Sequence, residues 1–219
     1  MNTTGHQPFN FVTASYLICV GNQRATRLSE LRKGLEACSD ASIFYHTFQS
    51  LGSHHFLREG FSNDFAQWTL AACNRAELAE GFAALDIREY LSLADLRHDL
   101  IALADQYCTA YPQEAEQTAF EPFHFCEAIE VTVPFEMQAR SLADFRDVLE
   151  RISHASFNYH FITSRLRLQL RTNDFSHWFS NALGLQRLAS RAEQIDIYTN
   201  TIETARARLI SLIDQELHA

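Results

Sequence analysis

The sequence predicts a mainly α-helical protein with a small β component, an α+β fold of two tandem homologous repeats related by a pseudo-two-fold axis. Three observations carry that expectation. A-S-I-F-Y-H-T-F (Ala41 to Phe48) returns as A-S-F-N-Y-H-F-I (Ala155 to Ile162), and N-D-F-x-x-W stands at Asn63 to Trp68 and again at Asn173 to Trp178. Phe9 to Phe48 aligns without a gap to Phe123 to Ile162 at a constant offset of 114, with 13 identities in 40 columns. Helical apolar spacing then dominates each copy after a strand-like opening. Two copies of about 100 residues are too few and too long for a solenoid, so the pattern reads as a duplication pair. The expected organisation is a first repeat over 1–108, a linker over 109–122 and a second repeat over 123–219.

Each repeat opens with a strand. Phe123, Phe125, Ile129, Val131 and Val133 share one face at period two, and Phe9, Phe11, Tyr16, Ile18 and Val20 suggest a bulged strand. An amphipathic helix follows. Ser141 and Asp144 resemble a capping box ahead of Leu142, Phe145, Leu149 and Ile152, and the twin helix begins near Ser29 with Leu28, Leu31 and Leu35. The Tyr-His segment reads as helical, with Asp40 or Ser153 as its cap. Asn63-Asp64 and Asn173-Asp174 cap the Trp-bearing helices. The closing helices run from Ser92 to about Tyr107 and from Thr201 to about Leu217. Thr109 to Pro122, with a proline near each end and three glutamates, reads as the linker.

Composition narrows the function. The 219 residues are 47% hydrophobic and 21% charged, ordinary for a globular protein. A net charge of −9 argues against nucleic acid as a partner, because phosphate neutralisation needs clustered Lys and Arg. No apolar run approaches a membrane span, and the N-terminus shows no secretory signal. The five cysteines form no C-x-x-C pair, which fits reduced thiols and a cytoplasmic location.

The repeated side chains are the candidate ligand-binding residues: Tyr45, His46, Tyr159, His160, Arg97 and Arg206. N-D-F-x-x-W is read as a helix cap plus two core anchors. His46 and His160 are read as structural, each bonded to a carbonyl or to Asp64 or Asp174. The alternative is a metal site of His46, His54, His55 and Asp64, an N/O set that zinc or iron accepts. Against it, no H-E-x-x-H, H-x-H or paired C-x-x-C spacing occurs. G-x-S-x-G, G-x-G-x-x-G and the P-loop are also missing, so neither nucleophilic catalysis nor a nucleotide cradle is indicated, and no cofactor is expected. Arg32 and Arg146 are expected to pair with Glu36 and Glu150, one turn on. Arg165, Arg167 and Arg171 read as a solvated basic strip.

Phe9-Asn10-Phe11, Ala25 with Leu28, Tyr45-His46, Asn63 to Trp68, Leu78-Ala79-Glu80 and Arg97 together resemble a prokaryotic family known only as a domain of unknown function. The resemblance covers nearly the whole chain, and the second copy departs from it with Ser190 in place of Glu80. It implies a fold and no mechanism. The reading of the sequence is therefore a soluble intracellular, non-catalytic binding protein in a regulatory or scaffolding role. Its partner is an unidentified protein or small-molecule ligand, with neither nucleic acid nor membrane as partner and with a homo-oligomer left open. The rival reading is a metal-binding protein or metalloenzyme.

Overall fold

The structure, a computed structural model, describes residues 4–49, 63–87, 89–167, 172–196 and 201–218. It is mainly helical with a small sheet. Strands β1 (Thr4–Ala25) and β2 (Phe123–Ser141) are hydrogen-bonded neighbours in that sheet. After β1 come α1 (Leu28–Ala37), α2 (Asp40–Phe44), α3 (Asp64–Ala71), α4 (Ala76–Ala83), α5 (Leu93–Ala110) and the short α6 (Pro112–Ala115). After β2 come α7 (Leu142–Arg151), α8 (His154–Asn158), α9 (Ser164–Arg167), α10 (Asp174–Asn181), α11 (Gln186–Glu193) and α12 (Ile202–Leu217). No helix among the described residues is long and apolar enough to cross a membrane.

The chain forms two compact units, and their bounds run through the strands. One unit holds Leu17–Ile129; the other holds Met1–Tyr16 together with Glu130–Ala219. Each unit thus takes its helices from one half of the chain and a phenylalanine-bearing strand end from the other half.

In the 17–129 unit, α1 packs on α5, and α3 pairs with α4. Phe123 and Phe125 arrive on β2 and are buried against Phe65, with Phe65 and Phe123 ring centroids 5.3 Å apart. Such aromatic pairs add to the apolar burial of their rings. Gly34 of α1 admits this packing, because a Cβ there would stand 2.2 Å from Cζ of Phe125. The left-handed residue that ends the α3 turn is Asn74, at φ 56°.

In the other unit, α12 packs on α7 and α11, and α10 pairs with α11. Phe9 and Phe11 arrive on β1 and are buried. Phe9 lies 5.3 Å from Phe145, which stacks on Trp178 at 5.2 Å. The left-handed position after α10 is Gly184, at φ 70°.

Local chemistry explains the helix starts. Ser141 and Asp144 make the full reciprocal capping box: Asp144 N–H donates to Ser141 Oγ, and Ser141 N–H donates to Asp144 Oδ2. α1 begins differently from the Ser29 expectation. It starts at Leu28 without a side-chain cap at Arg27, and the Glu30 carboxylate accepts from both the backbone N–H and the hydroxyl of Thr26. Those two donors hold the Glu30 carboxyl below its usual range.

Two further expectations are corrected, at the cap of α2 and at Arg165. The cap of α2 is Ser39, not Asp40, whose carboxylate accepts from Arg97 instead; Ser153 caps α8 as expected. The period-two face of β2 is not buried along its length: Phe123 and Phe125 are, whereas Ile129, Val131 and Val133 are 49%, 56% and 51% exposed. Alternation puts these side chains on one face, but helices cover only the part carrying the phenylalanines. Ile18 and Val20 of β1 are likewise exposed. Finally, Arg165 is buried and its guanidinium donates to the Glu193 carbonyl, so it is not part of a solvated strip. The side chain of Arg167, and Arg171 altogether, lie outside the described residues.

Candidate functional site

Each Tyr-His segment begins as a capped helical turn and widens into a π-helical turn, Tyr45–Gln49 in one unit and Tyr159–Thr163 in the other. Wide turns of this kind change the register of the following side chains. His46 Nδ1 stands 2.8 Å from Asp64 Oδ2, and its Nε2 accepts the Cys126 backbone N–H at 2.9 Å. His160 Nδ1 stands 2.8 Å from Asp174 Oδ2, and its Nε2 accepts the Val12 backbone N–H at 2.8 Å. Both histidines are buried.

A backbone N–H can only donate, so each Nε2 presents its lone pair and the ring proton lies on Nδ1, aimed at the carboxylate. This is the base-and-orienter half of a catalytic triad, with one difference. The nitrogen that would accept a proton from a nucleophile is already engaged by the main chain. The histidines therefore serve as acceptors for the N–H groups of two half-buried strand residues. Ser156 Oγ completes the second case by donating to the Val12 carbonyl at 2.7 Å, so helix side chains bind both backbone groups of Val12.

Tyr45 packs edge-on to His46 and Tyr159 edge-on to His160, as wall rather than as an open surface. Burial, with the Asp64 charge nearby, raises the Tyr45 phenol. Arg97 donates to the Leu35 carbonyl and to Asp40 at 2.7 Å. Arg206 lies over the Phe157 ring at 5.5 Å, with Nε and one terminal nitrogen buried and without a hydrogen-bond partner among the described residues. Arg32 pairs with Glu36 and also with Asp105, and Arg146 with Glu150 and also with Asp214. Four of the thiols are not poised as nucleophiles: burial raises Cys38, Cys108 and Cys126 and pushes Cys73 up to about 12.

For the metal alternative, His54 and His55 lie outside the described residues. Among the described residues no three His, Cys, Asp or Glu side chains are grouped to hold an ion. The two ring nitrogens of His46 are engaged as above.

A concave feature of the 17–129 unit lies elsewhere among the described residues. A cavity of ≈ 520 Å³ is lined by Asp64, Gln67, Trp68, Ala71, Ala72, Phe120, Glu121 and Phe123. Only Asp64 belongs to the side chains singled out above for binding. Trp68 is buried as expected, yet one side of it forms the cavity wall. Phe120 and Glu121 come from the segment read as linker. Hydrogen bonds hold the end of that segment, among them Ala119 N–H to the Thr26 carbonyl at 2.7 Å, Phe120 N–H to the Ala72 carbonyl at 2.9 Å, and Trp68 Nε1–H to the Glu121 carbonyl at 2.8 Å. So fixed, Phe120 is 86% exposed at the cavity lip. The signal in the sequence was an isolated Phe in T-A-F-E-P, an apolar residue belonging to no helical or alternating pattern.

The solved structure described as "The structure of OrfY from Thermoproteus tenax" is similar to this chain, with 27% identity and a TM-score of 0.86, covering 99% of this chain and 98% of that one. No functionally curated protein matches. The model of DUF5752, described as a family of unknown function, matches residues 6–214. With the match spanning both units, both strands and both Tyr-His turns, the chain belongs to that family.

Proposed function

We propose that this is a non-catalytic intracellular binding protein, in a regulatory or scaffolding role, whose ligand site is the cavity walled by Trp68, Phe120 and Phe123. One observation carries the reading: Phe120 is held out in water at the mouth of a cavity by a segment that hydrogen bonds fix in place. A large exposed aromatic beside a concave, mostly apolar wall is what a binding site requires, and its fixed backbone lowers the ordering cost of binding. Two observations weigh against catalysis. The histidine nitrogens that would move protons bond to the main chain, and burial keeps four of the five thiols protonated. All five cysteines are free, which supports a cytoplasmic setting.

The two halves descend from one duplicated ancestor. The 40-column alignment supports this, as do the matched His–Asp pairs, Asn caps, tryptophan indoles bonded to strand-end carbonyls, and left-handed turn residues. The cavity is where the halves diverge. Extended at the same offset of 114 just ahead of the alignment's first column, Phe120 and Glu121 correspond to His6 and Gln7, so only one copy carries the aromatic lip and the carboxylate.

The test is a fragment and metabolite screen read by two-dimensional NMR. The Trp68 indole, Phe120 and Phe123 resonances are expected to respond together, and Phe120→Ala is expected to remove the response. Hits that shift resonances elsewhere and leave these three unchanged would overturn the assignment.

A further inference from the structure

We infer that the cavity receives a basic side chain, arginine or lysine, of a partner protein; the inference rests on the cavity being the ligand site. Its charged lining among the described residues consists of Asp64 and Glu121, both carboxylates. Asp64 Oδ2 stands 2.8 Å from His46 Nδ1, which places this carboxylate at the edge where the cavity meets the buried imidazole. Three aromatic residues, Trp68, Phe120 and Phe123, share the same lining. Ring faces and carboxylates together favour a cation with an apolar stem, since the rings attract the charge through their quadrupoles and pack against methylenes. Ala71 and Ala72 make their part of the lining short and apolar.

The source of the cation follows from Phe120. A free ammonium ion lodged inside would leave this ring almost wholly exposed. A side chain attached to a partner's backbone would bring further surface across the lip and cover it. Exposed aromatics that become buried on association are the usual energetic anchors of protein interfaces. The protein's charge of −9 further favours a basic partner and speeds its approach.

The experiment titrates wild-type protein with blocked tripeptides, Ac-Gly-Xaa-Gly-amide, with Xaa as Arg, Lys, norleucine or Glu, and separately with tetramethylammonium. The readout is the Trp68 indole resonance, assigned with Trp178→Phe. Arg and Lys peptides are expected to shift it saturably, with norleucine and Glu peptides at least tenfold weaker and binding that weakens with added salt. Glu121→Gln is expected to weaken the Arg peptide roughly three- to tenfold, and Phe120→Ala at least as much. Both variants leave the fold's bonds in place, because Trp68 bonds to the Glu121 backbone carbonyl and not to its carboxylate. If norleucine binds as well as lysine, the cationic inference falls while the binding site stands. If tetramethylammonium binds as tightly as the Arg peptide, the ligand is a small amine and the partner-protein assignment falls. If the fragment screen finds ligands here but no cation binds, the inference is overturned and the proposed function is not.

Discussion

At the residue scale, His46 and His160 show why an imidazole is kept where a phenylalanine has the right size. Each ring bridges a carboxylate on one helix and a main-chain N–H on a strand, which no apolar ring can do. Substituting His160→Phe removes one partner of the Asp174 carboxylate and the acceptor of the Val12 N–H, and is expected to cost on the order of 2–4 kcal/mol. Urea denaturation checks this; an unchanged midpoint would refute the bridging role. Long-range ¹⁵N spectra are expected to place both rings in the Nδ1–H tautomer. Elemental analysis of protein purified without a His tag is expected to find no stoichiometric zinc, iron or manganese. A metal at His46 would have to displace the Cys126 N–H from Nε2 or the proton from Nδ1. Near one equivalent of metal, lost in His46→Ala, would establish the metalloprotein reading instead.

At the element scale, caps and core anchors are expected to differ in energy. Asn173 Oδ1 accepts the Ser176 N–H at 2.9 Å, so Asn173→Ala is expected to cost about 1 kcal/mol. Trp178 is buried, stacks on Phe145 and donates to the Gln7 carbonyl, so Trp178→Ala is expected to cost about 3–5 kcal/mol. A denaturation series giving equal shifts would contradict the anchor assignment. The capping box of α7 adds a pH signature. The Ser141 hydroxyl, then the Arg140 and Ser141 backbone N–H groups, depress the Asp144 carboxyl in the fold. Its stabilisation is therefore complete above the unfolded value of about 3.9 and is lost as pH falls through the lower folded value. Asp144→Asn is expected to flatten the acid limb of the stability profile below about pH 4 and to lower the neutral-pH midpoint by about the stability that the wild type loses across that limb. An unaltered acid limb would mean that the box does not titrate with folding.

At the scale of the whole molecule, compactness and sequence repetition follow different cuts. The unit built on α7 to α12 contains residues 1–16, with Phe9, Phe11 and the Val12 N–H that His160 binds. A fragment cut at the repeat boundary, residues 123–219, lacks these groups. It is expected to show weak near-ultraviolet dichroism and non-cooperative melting, and a peptide of residues 1–16 is expected to restore both. Cooperative folding of 123–219 alone would show that the strand end contributes little. The same cut explains the cavity: Phe120, Glu121 and Phe123 reach Trp68 because the segment joining the halves packs into the 17–129 unit.

Much of this was legible in the residues. The helix starts at Ser92, Ser141, Ser153 and Thr201, the Asn caps and the buried tryptophans all follow from local rules, since a cap or an amphipathic stripe depends on neighbours three or four positions away. The His–Asp pairing was likewise readable as one of two structural options. Which main-chain group binds the other nitrogen was not, because Val12 and Cys126 lie 148 and 80 residues from their histidines. Periodicity put Ile129, Val131 and Val133 on one face with Phe123, but alternation states only that side chains share a face, never whether a helix covers it. The site was the least legible of all. Nothing local distinguishes Phe120 from a core phenylalanine, and its exposure beside Trp68 arises only when hydrogen bonds from distant segments fix the chain around it.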